Sequence, residues 1–512
     1  MMATRLHALS VVSALLTVLA LVAGAQQQHG TAAIPRTWDD GEVARHQVPL
    51  ADSAASPRQV TADDYYRMPV RPIYKSYPVY APGREPAGYM ERLRDQEPVI
   101  LWDDQGHAPP LRTEDDWIRA GEIVFDAAPG SNRFFRVEDV RNPIWYAKTG
   151  ARVSKEGVLP SLQYVVRARG VVEVHTLGCA SCHTRVMPDG TILKGAQSNQ
   201  PLQRQAAYGM RAALAASHDV AQYTSQIRGL FKSLHSAPWV RPDPEARLDT
   251  MSVAEIADAL DAVPPGASLR QGTNTFLPMQ VPDLIGVKDR RYLDHTGLER
   301  HGGVGDFMRY AAMNQGLDLL ASYGGFVPAE ALRQPAAQTR FRYSDEQLYA
   351  LTLYVYSLQP PPNPNAFDAR AARGQRVFER EGCAVCHTPP LYTSNKLTPA
   401  DGFQIPPEHL KLYDILRVSV RTDPTLALRT RRGTGYYKVP SLKGVWYREM
   451  FPHDGSCATL EDWFDPARLR DDYVPTGFRG YGVERRAVPG HEFGLRLSAE
   501  DKGALIAYLK TL

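Results

Sequence analysis

Thr176–Thr184 reads TLGCASCHT and Arg380–Thr388 reads REGCAVCHT, so one Cys-x-x-Cys-His unit occurs twice, far apart in the same chain. Three chemistries compete for such a unit. A zinc ribbon keeps its two Cys-x-x-Cys pairs within roughly 15–20 residues of each other, whereas Cys182 and Cys383 are separated by much more. A thioredoxin-like redox site needs a βαβ setting and has no use for a histidine directly behind the second cysteine. Covalent haem accounts for every residue: two thiols add to the two vinyl groups, and the adjacent imidazole becomes the proximal iron ligand. The reading is two covalently bound haem c groups, one on Cys179, Cys182 and His183, the other on Cys383, Cys386 and His387. The remaining cysteine, Cys457, reads as a small buried hydrophobe.

The N-terminus bears on the same question. Arg5 supplies a positive start, ALSVVSALLTVLALVAGA an apolar run, and Ala23-Gly24-Ala25 a small-residue cleavage site. An uncleaved membrane anchor is the competing reading, because the apolar run approaches spanning length. The cleavage site favours a leader over residues 1–25 and a mature chain, starting at Gln26, that is periplasmic or secreted without stable membrane insertion. An exported protein stapled by disulfides usually carries more than five cysteines, spread along the chain.

Length and composition set the frame. A chain of 512 residues exceeds one ordinary core and implies several domains. With 43% hydrophobic and 22% charged residues it has the make-up of a soluble protein, and a net charge of +3 gives no reason to expect nucleic acid as a partner. Forty prolines and 39 glycines favour short helices joined by long loops.

More than the haem motif is duplicated. RAGEIVFD (Arg119–Asp126) precedes the first motif and ARGQRVFE (Ala372–Glu379) the second, sharing Gly-x-x-Val-Phe at Gly121–Phe125 and Gly374–Phe378. VPDLIGVKDRRYLDHTG (Val281–Gly297) aligns without gaps on VPSLKGVWYREMFPHDG (Val439–Gly455), pairing His295 with His453. SDEQLYALTLYVYSL (Ser344–Leu358) aligns with SAEDKGALIAYLKTL (Ser498–Leu512); each has an N-cap serine followed by apolar residues at helical spacing. The proline-rich LQPPPNPN that starts at Leu358 is the linker. The fold class expected is mainly α: two tandem cytochrome c-like lobes with long loops and an extended N-terminal arm. The boundaries are a partly disordered arm at 26–110, a first haem domain with insertions at 111–360, and a second at 361–512. Within the first, YVVRARGVVEVHT reads as strand.

An iron with both axial positions filled shuttles electrons, while an open one binds peroxide or dioxygen. His491 lies seven residues before Ser498, and the matching place before Ser344 is Ala337. His491 is therefore a candidate distal ligand for the second haem only, with Met450 and His453 as rivals in the same lobe. For the first haem, Met187 follows His183 too closely to reach the opposite face; His295, His301, Met279, Met308 and Met313 stay open. The favoured reading is a five-coordinate first iron, with Trp239 and Phe276 in its pocket or on an electron path unless they are simple core.

The two motifs, with VPSLKGVWYREMFPHDGSCATLEDWF (from Val439) and PGHEFGLRLSAEDKGALIAYLKTL (to Leu512), resemble the bacterial di-haem cytochrome c peroxidase superfamily, most closely its di-haem rubber oxygenase-like branch. The likeness runs from about Arg119 to Leu512. It implies an oxidoreductase that uses peroxide or dioxygen, a small redox donor or acceptor protein as partner, and an inter-lobe calcium ion. The sequence departs from the peroxidases in two places. Leu293 stands where their inter-haem tryptophan falls, and no histidine follows His183 until His218. The resulting expectation gives His183 the reactive iron, with Trp239 and His295 as catalytic candidates, and gives His387 and His491 a six-coordinate electron-transfer iron. The alternative is a non-enzymatic di-haem electron carrier.

Overall fold

The computed structural model describes residues 34–128, 134–332 and 341–512. The leader expected over residues 1–25, the first residues of the expected arm and Ala337 lie outside the described residues. Met1–Pro35 divides from a compact unit formed by Arg36–Leu512. The architecture of that unit is mainly helical, with one small three-stranded sheet and several two-stranded ladders.

Among the described residues, the helices longer than seven residues are α1 (Glu114–Phe125), α2 (Leu202–Ala215), α3 (Val220–His235), α4 (Val253–Asp261), α5 (Val304–Asn314), α6 (Asp345–Ser357), α7 (Ala369–Arg380) and α8 (Ala499–Lys510). Four of them carry the duplicated segments, and each of these four starts at a side-chain cap. Thr113 and Asp116 form a reciprocal capping box on α1, as do Ser344 and Gln347 on α6. Asp368 accepts from Ala371 N on α7, and Ser498 from Asp501 N on α8.

α1 packs on α6, and α7 packs on α8. The glycine of Gly-x-x-Val-Phe explains both pairings. A Cβ at Gly121 would overlap the Ala350 carbonyl on α6, and one at Gly374 would overlap the Ala504 carbonyl on α8. Only a residue without a side chain lets the two backbones come that close. One turn on, Phe125 meets Tyr354 at 5.2 Å between ring centroids and Phe378 meets Tyr508 at 5.5 Å. The two sequence repeats thus build two equivalent crossed helix pairs.

The Val-Pro-x-Leu repeats hold each other. Gln280 N, just before Val281, donates to His453 O at 2.7 Å, and Lys438 N, just before Val439, donates to His295 O at 2.9 Å. Each copy gives the other the same bond that it receives, which is the reciprocity of a two-fold interface formed inside one chain.

The strand-like stretch forms a hairpin, β2 (Val158–Ala168) with β3 (Val171–Thr176), turning at Gly170 with φ 83. β1 (Ser76–Tyr80), from the N-terminal arm, adds antiparallel to β2. Val79, Leu159, Leu162, Tyr164 and Val174 pack together with Trp145 beneath this sheet. From Arg36 onward the arm is built into the compact unit: Pro57–Arg58 also pairs with Ser322–Tyr323. β3 ends at Thr176 and delivers the chain directly to Cys179. Between the first motif and its Val-Pro repeat, α2, α3 and α4 pack through Met210, Ile227, Phe231, Ile256 and Leu260. Among the described residues, no helix is long and apolar enough to cross a membrane.

Candidate haem sites

The second motif follows α7 without a break. Val377 and Phe378 are buried, Gly382 turns the chain with φ 72, and Cys383–Val385 forms a single 3-10 turn. Cys383, Cys386 and His387 line a cavity of about 250 Å³ whose walls include Val439, Leu460, Trp463, Phe464, Leu505 and Leu509. The five cysteines are free thiols, and burial pushes Cys383 up to about 11. At neutral pH Cys383 is therefore protonated.

The ring of His387 is oriented from behind. Its Nδ1 lies 3.1 Å from Pro440 O and 3.3 Å from Tyr392 O. Two carbonyl acceptors require Nδ1–H, so Nε2 keeps its lone pair, the arrangement that outer carbonyls impose on ligating histidines. Burial holds the ring down to about 4, so it is neutral near pH 7 and able to ligate.

His491 stands across the cavity, with its ring centroid 6.3 Å from that of His387 and the planes 57° apart. Two metal–imidazole bonds of about 2.0–2.1 Å, each lengthened by the roughly 1.1 Å from nitrogen to ring centre, put two axial rings about 6.3 Å apart. The angle between planes is free, because each ring turns about its own metal–nitrogen bond. His491 is also strained and clamped. Its φ of 46 is left-handed, which is uncommon for a side-chain-bearing residue. Its N–H donates to Val420 O at 2.6 Å. Arg468, fully buried, donates to Trp463 O, Val488 O, Gly490 O and His491 O, and its guanidinium lies 4.1 Å from the centre of the Trp463 ring. The His491 ring itself packs on Trp463 at 5.4 Å and on Phe493 at 5.3 Å. Its Nδ1 is buried without a hydrogen-bond partner, and burial holds the ring down to about 3. Strain at a residue aimed into a cavity points to function rather than packing.

The rivals are differently engaged. His453 also lines the cavity, but its Nε2 bonds Asp423 O at 3.0 Å and its ring stacks on Tyr437 at 4.5 Å. Met450 lines it with a left-handed φ of 65.

At the first motif, Cys179–Cys182 forms one helical turn, anchored by Gly178 N to Ala127 O at 2.8 Å and by Ser181 Oγ to Leu177 O at 2.6 Å. Burial pushes the Cys179 thiol up to about 12. His183 is held down to about 3 by burial and then by the nearby Arg270 guanidinium. Its Nδ1 is buried without a hydrogen-bond partner, and the nearby Pro282 backbone partly opposes the lowering. Pro282 is the repeat partner of Pro440, so both motif histidines lie near the proline of a Val-Pro-x-Leu segment, which His387 alone meets with a hydrogen bond. The sequence reading found that repeat but missed this use of it; its signal was a proline kept in both copies.

Arg270 belongs to a buried charge network. Asp294 accepts from Arg270 and Arg432, both at 2.9 Å, and Arg432 reaches on to Asp318 at 3.2 Å. Against the cost of burial, Arg270 and Arg432 hold Asp294 well below the usual carboxylate range.

Other named residues are distributed as follows. His301 has both ring nitrogens engaged, by Arg290 O and by Tyr356 OH at 2.5 Å each, which removes it from the free ligand candidates. Met279, Met308 and Met313 are buried. His295 lines the cavity of His387, not one confined to His183, and its Nε2 bonds Gln280 O at 2.7 Å. Trp239 lines neither that cavity nor the small one beside it; its ring stacks on Tyr323 at 5.9 Å and packs with Leu50, Ala55, Leu298 and Ala321. Phe276 stacks on Tyr481 at 6.3 Å, with Arg247 against both rings. Cys457 is fully buried in the core of the second motif. Two residues went unremarked from sequence, Arg468 and His235. His235, at the end of α3, is buried with its Nδ1 unpartnered.

The donor set fits haem c. Two thiols and an imidazole share one rim, a second imidazole stands at axial spacing, and the walls are apolar. Among the described residues, no three His, Cys, Asp or Glu side chains converge to hold a metal ion, so the implied calcium finds no side-chain cage there.

No protein-family model matches the chain, and no curated protein matches it. Among solved structures, hydrazine synthase of Kuenenia stuttgartiensis, pressurised with xenon, is similar at 16% identity over 58% of this chain and 88% of its own, with a TM-score of 0.28. A MauG-like protein associated with microbial copper homeostasis is similar at 20% identity over 33% of this chain and 56% of its own, with a TM-score of 0.21. At those scores the fold and the sites rest on their own geometry.

Proposed function

We propose that this chain is an exported di-haem c-type oxidoreductase made of two tandem cytochrome c-like lobes. The observation that carries the reading is the facing of His387 and His491 across the cavity rimmed by Cys383 and Cys386, at the 6.3 Å that one shared metal demands. Haem bound there would supply a one-electron iron couple, and held by both His387 and His491 it would suit electron transfer. The chain's own residues do the rest. Pro440 O fixes the His387 tautomer, Arg468 holds the loop that presents His491, and the apolar walls exclude water.

Cys179, Cys182 and His183 would hold the first haem, with His183 proximal. The involvement of both nitrogens of His301, and of Nε2 of His295, supports an axial position left open there to peroxide or dioxygen. A small redox protein is the proposed electron partner. The rival reading, a non-enzymatic electron carrier, draws on the same His387–His491 pair, which by itself is an electron-shuttling arrangement.

An optical and EPR spectrum of the purified holoprotein tests both. Two haems per chain, half of the iron high-spin and half low-spin, with one haem binding cyanide, is the expected result. A wholly low-spin, cyanide-inert protein overturns the enzymatic reading in favour of the carrier. A haem colour lost to acid-acetone extraction overturns covalent attachment.

A further inference from the structure

The wall of the His387 cavity carries its fixed charge in one place. Among the described residues that line it, Lys438 and Arg448 are the only lysine and arginine, and no aspartate or glutamate lines it. Both side chains also line a smaller cavity of about 40 Å³, where Arg290 joins them. Arg290 and Arg448 hold the same place in the two Val-Pro-x-Leu repeats. Each grips the carbonyl at the third position of its own repeat: Arg290 donates to Asp283 O, and Arg448 donates to Ser441 O at 2.9 Å. The duplication has thus brought two equivalent guanidinium groups to one small cavity, with Lys438 added from the second copy alone.

This cluster is short of anions. Asp283 is the one carboxylate among the described residues lining the small cavity, and it is already engaged. Tyr447 OH donates to its Oδ2 at 2.6 Å and Ile285 N to its Oδ1 at 2.9 Å. Arg448 Nε is buried without a hydrogen-bond partner. Burial, and after it the neighbouring Arg290, pushes Lys438 down to about 7. Three cations facing one occupied carboxylate repel one another where water screens them poorly, and charge in such a place calls for a partner. A divalent metal ion would add to the repulsion; carboxylates would relieve it.

Haem carries two carboxylates, on the edge of the macrocycle opposite its vinyl groups. At the second motif the vinyl edge would be committed to Cys383 and Cys386, which leaves the carboxylate edge to find its partners elsewhere on the wall. We infer that Lys438 and Arg448, with Arg290 beside them, form a receptacle for the carboxylates of the haem held by His387, so that the chain's own side chains neutralise charge where a bound calcium ion would otherwise do so. The inference rests on the haem reading of the second motif. Guanidinium-to-carboxylate hydrogen bonds are roughly twice as strong as neutral ones, and Arg448 Nε is a donor free to make one. Cations held beside the haem also favour its reduced, less positive iron, which gives the receptacle a measurable signature.

Midpoint potentials of wild-type, Arg448→Met, Lys438→Met and Arg448→Lys holoproteins are compared at pH 7 by spectroelectrochemistry. Each methionine variant should lower the reduction constant of the low-spin haem tenfold or more, a fall of about 59 mV or more for one electron. Arg448→Lys, which keeps the charge, should stay close to wild type. Potentials unmoved in both methionine variants overturn the receptacle, and so does a lysine variant that falls as far as Arg448→Met. Calcium and its chelator should leave the wild-type potential in place; a shift with either puts a metal ion there and overturns the assignment. Sulfate is the probe for a free anion. A wild-type Soret band that shifts on adding sulfate, when that of Arg448→Met does not, shows the cations unoccupied in the holoprotein and overturns the haem carboxylates as occupant. A Cys383–Cys386 peptide that carries no haem by mass spectrometry overturns the haem reading instead.

Discussion

Replacing His491 with alanine separates a ligand from a packing residue, because the two roles predict opposite results in apoprotein and holoprotein. The ring packs on Trp463 at 5.4 Å and Phe493 at 5.3 Å, contacts worth about 0.5–1.5 kcal/mol each. Truncation forfeits them. It also removes a buried Nδ1 that has no hydrogen-bond partner, a group that costs about 1–3 kcal/mol to keep dry. The two effects offset, and the apoprotein should unfold in urea within about 1 kcal/mol of wild type. The holoprotein should differ sharply. His387 would still hold the iron from one side; of the rivals lining the same cavity, His453 turns Nε2 to Asp423 O and its ring to the Tyr437 face, and Met450→Leu in the same protein removes the other. The low-spin half of the EPR signal should become high-spin with haem content unchanged, and added imidazole should restore it. The potential of that haem should move as well, since the axial ligand is a principal determinant. An unchanged spectrum, or an apoprotein several kcal/mol weaker beside a normal holoprotein, would refute ligation and leave His491 as core.

Gly374→Ala should cost about 1–3 kcal/mol or more, because its Cβ meets the Ala504 carbonyl and α7 must part from α8. Gly121→Ala should cost a similar amount through Ala350, and urea midpoints check both. Glu299, 2% exposed, is pushed up to about 8 by burial, whereas an unfolded glutamate titrates near about 4.3. Between those values the unfolded chain ionises while the folded one stays protonated, so stability falls as pH rises, by at most about 1.4 kcal/mol per unit. Glu299→Gln should therefore gain on wild type from pH 5 to pH 8; parallel stability curves would show that Glu299 does not titrate in this window.

The Cys-x-x-Cys-His units were legible because their chemistry is local: thiols and ligand must sit on one turn whatever surrounds them. The helix pairs were legible for a related reason. Capping residues such as Ser344 and Ser498 and the apolar spacing behind them act within one element, and duplication made Gly121 and Gly374 stand out. His491 was legible only as a histidine without a counterpart. That its ring faces His387 depends on a left-handed backbone, the Arg468 clamp and the bond to Val420 O, none of which has a signature in neighbouring residues. The same holds for Trp239 and His295, whose ring types suggested roles but whose partners, Tyr323 and Gln280 O, come from chain folded back from elsewhere. The links between the repeats are bonds from backbone N–H to backbone carbonyl, at Gln280 with His453 and at Lys438 with His295. Every residue type but proline carries that donor and every residue carries that acceptor, so sequence cannot say which will pair. Sequence alone determined which thiols and imidazole stand together in each Cys-x-x-Cys-His unit; only the tertiary structure decided which histidine faces which, because long-range packing sets distances that side-chain identity does not encode.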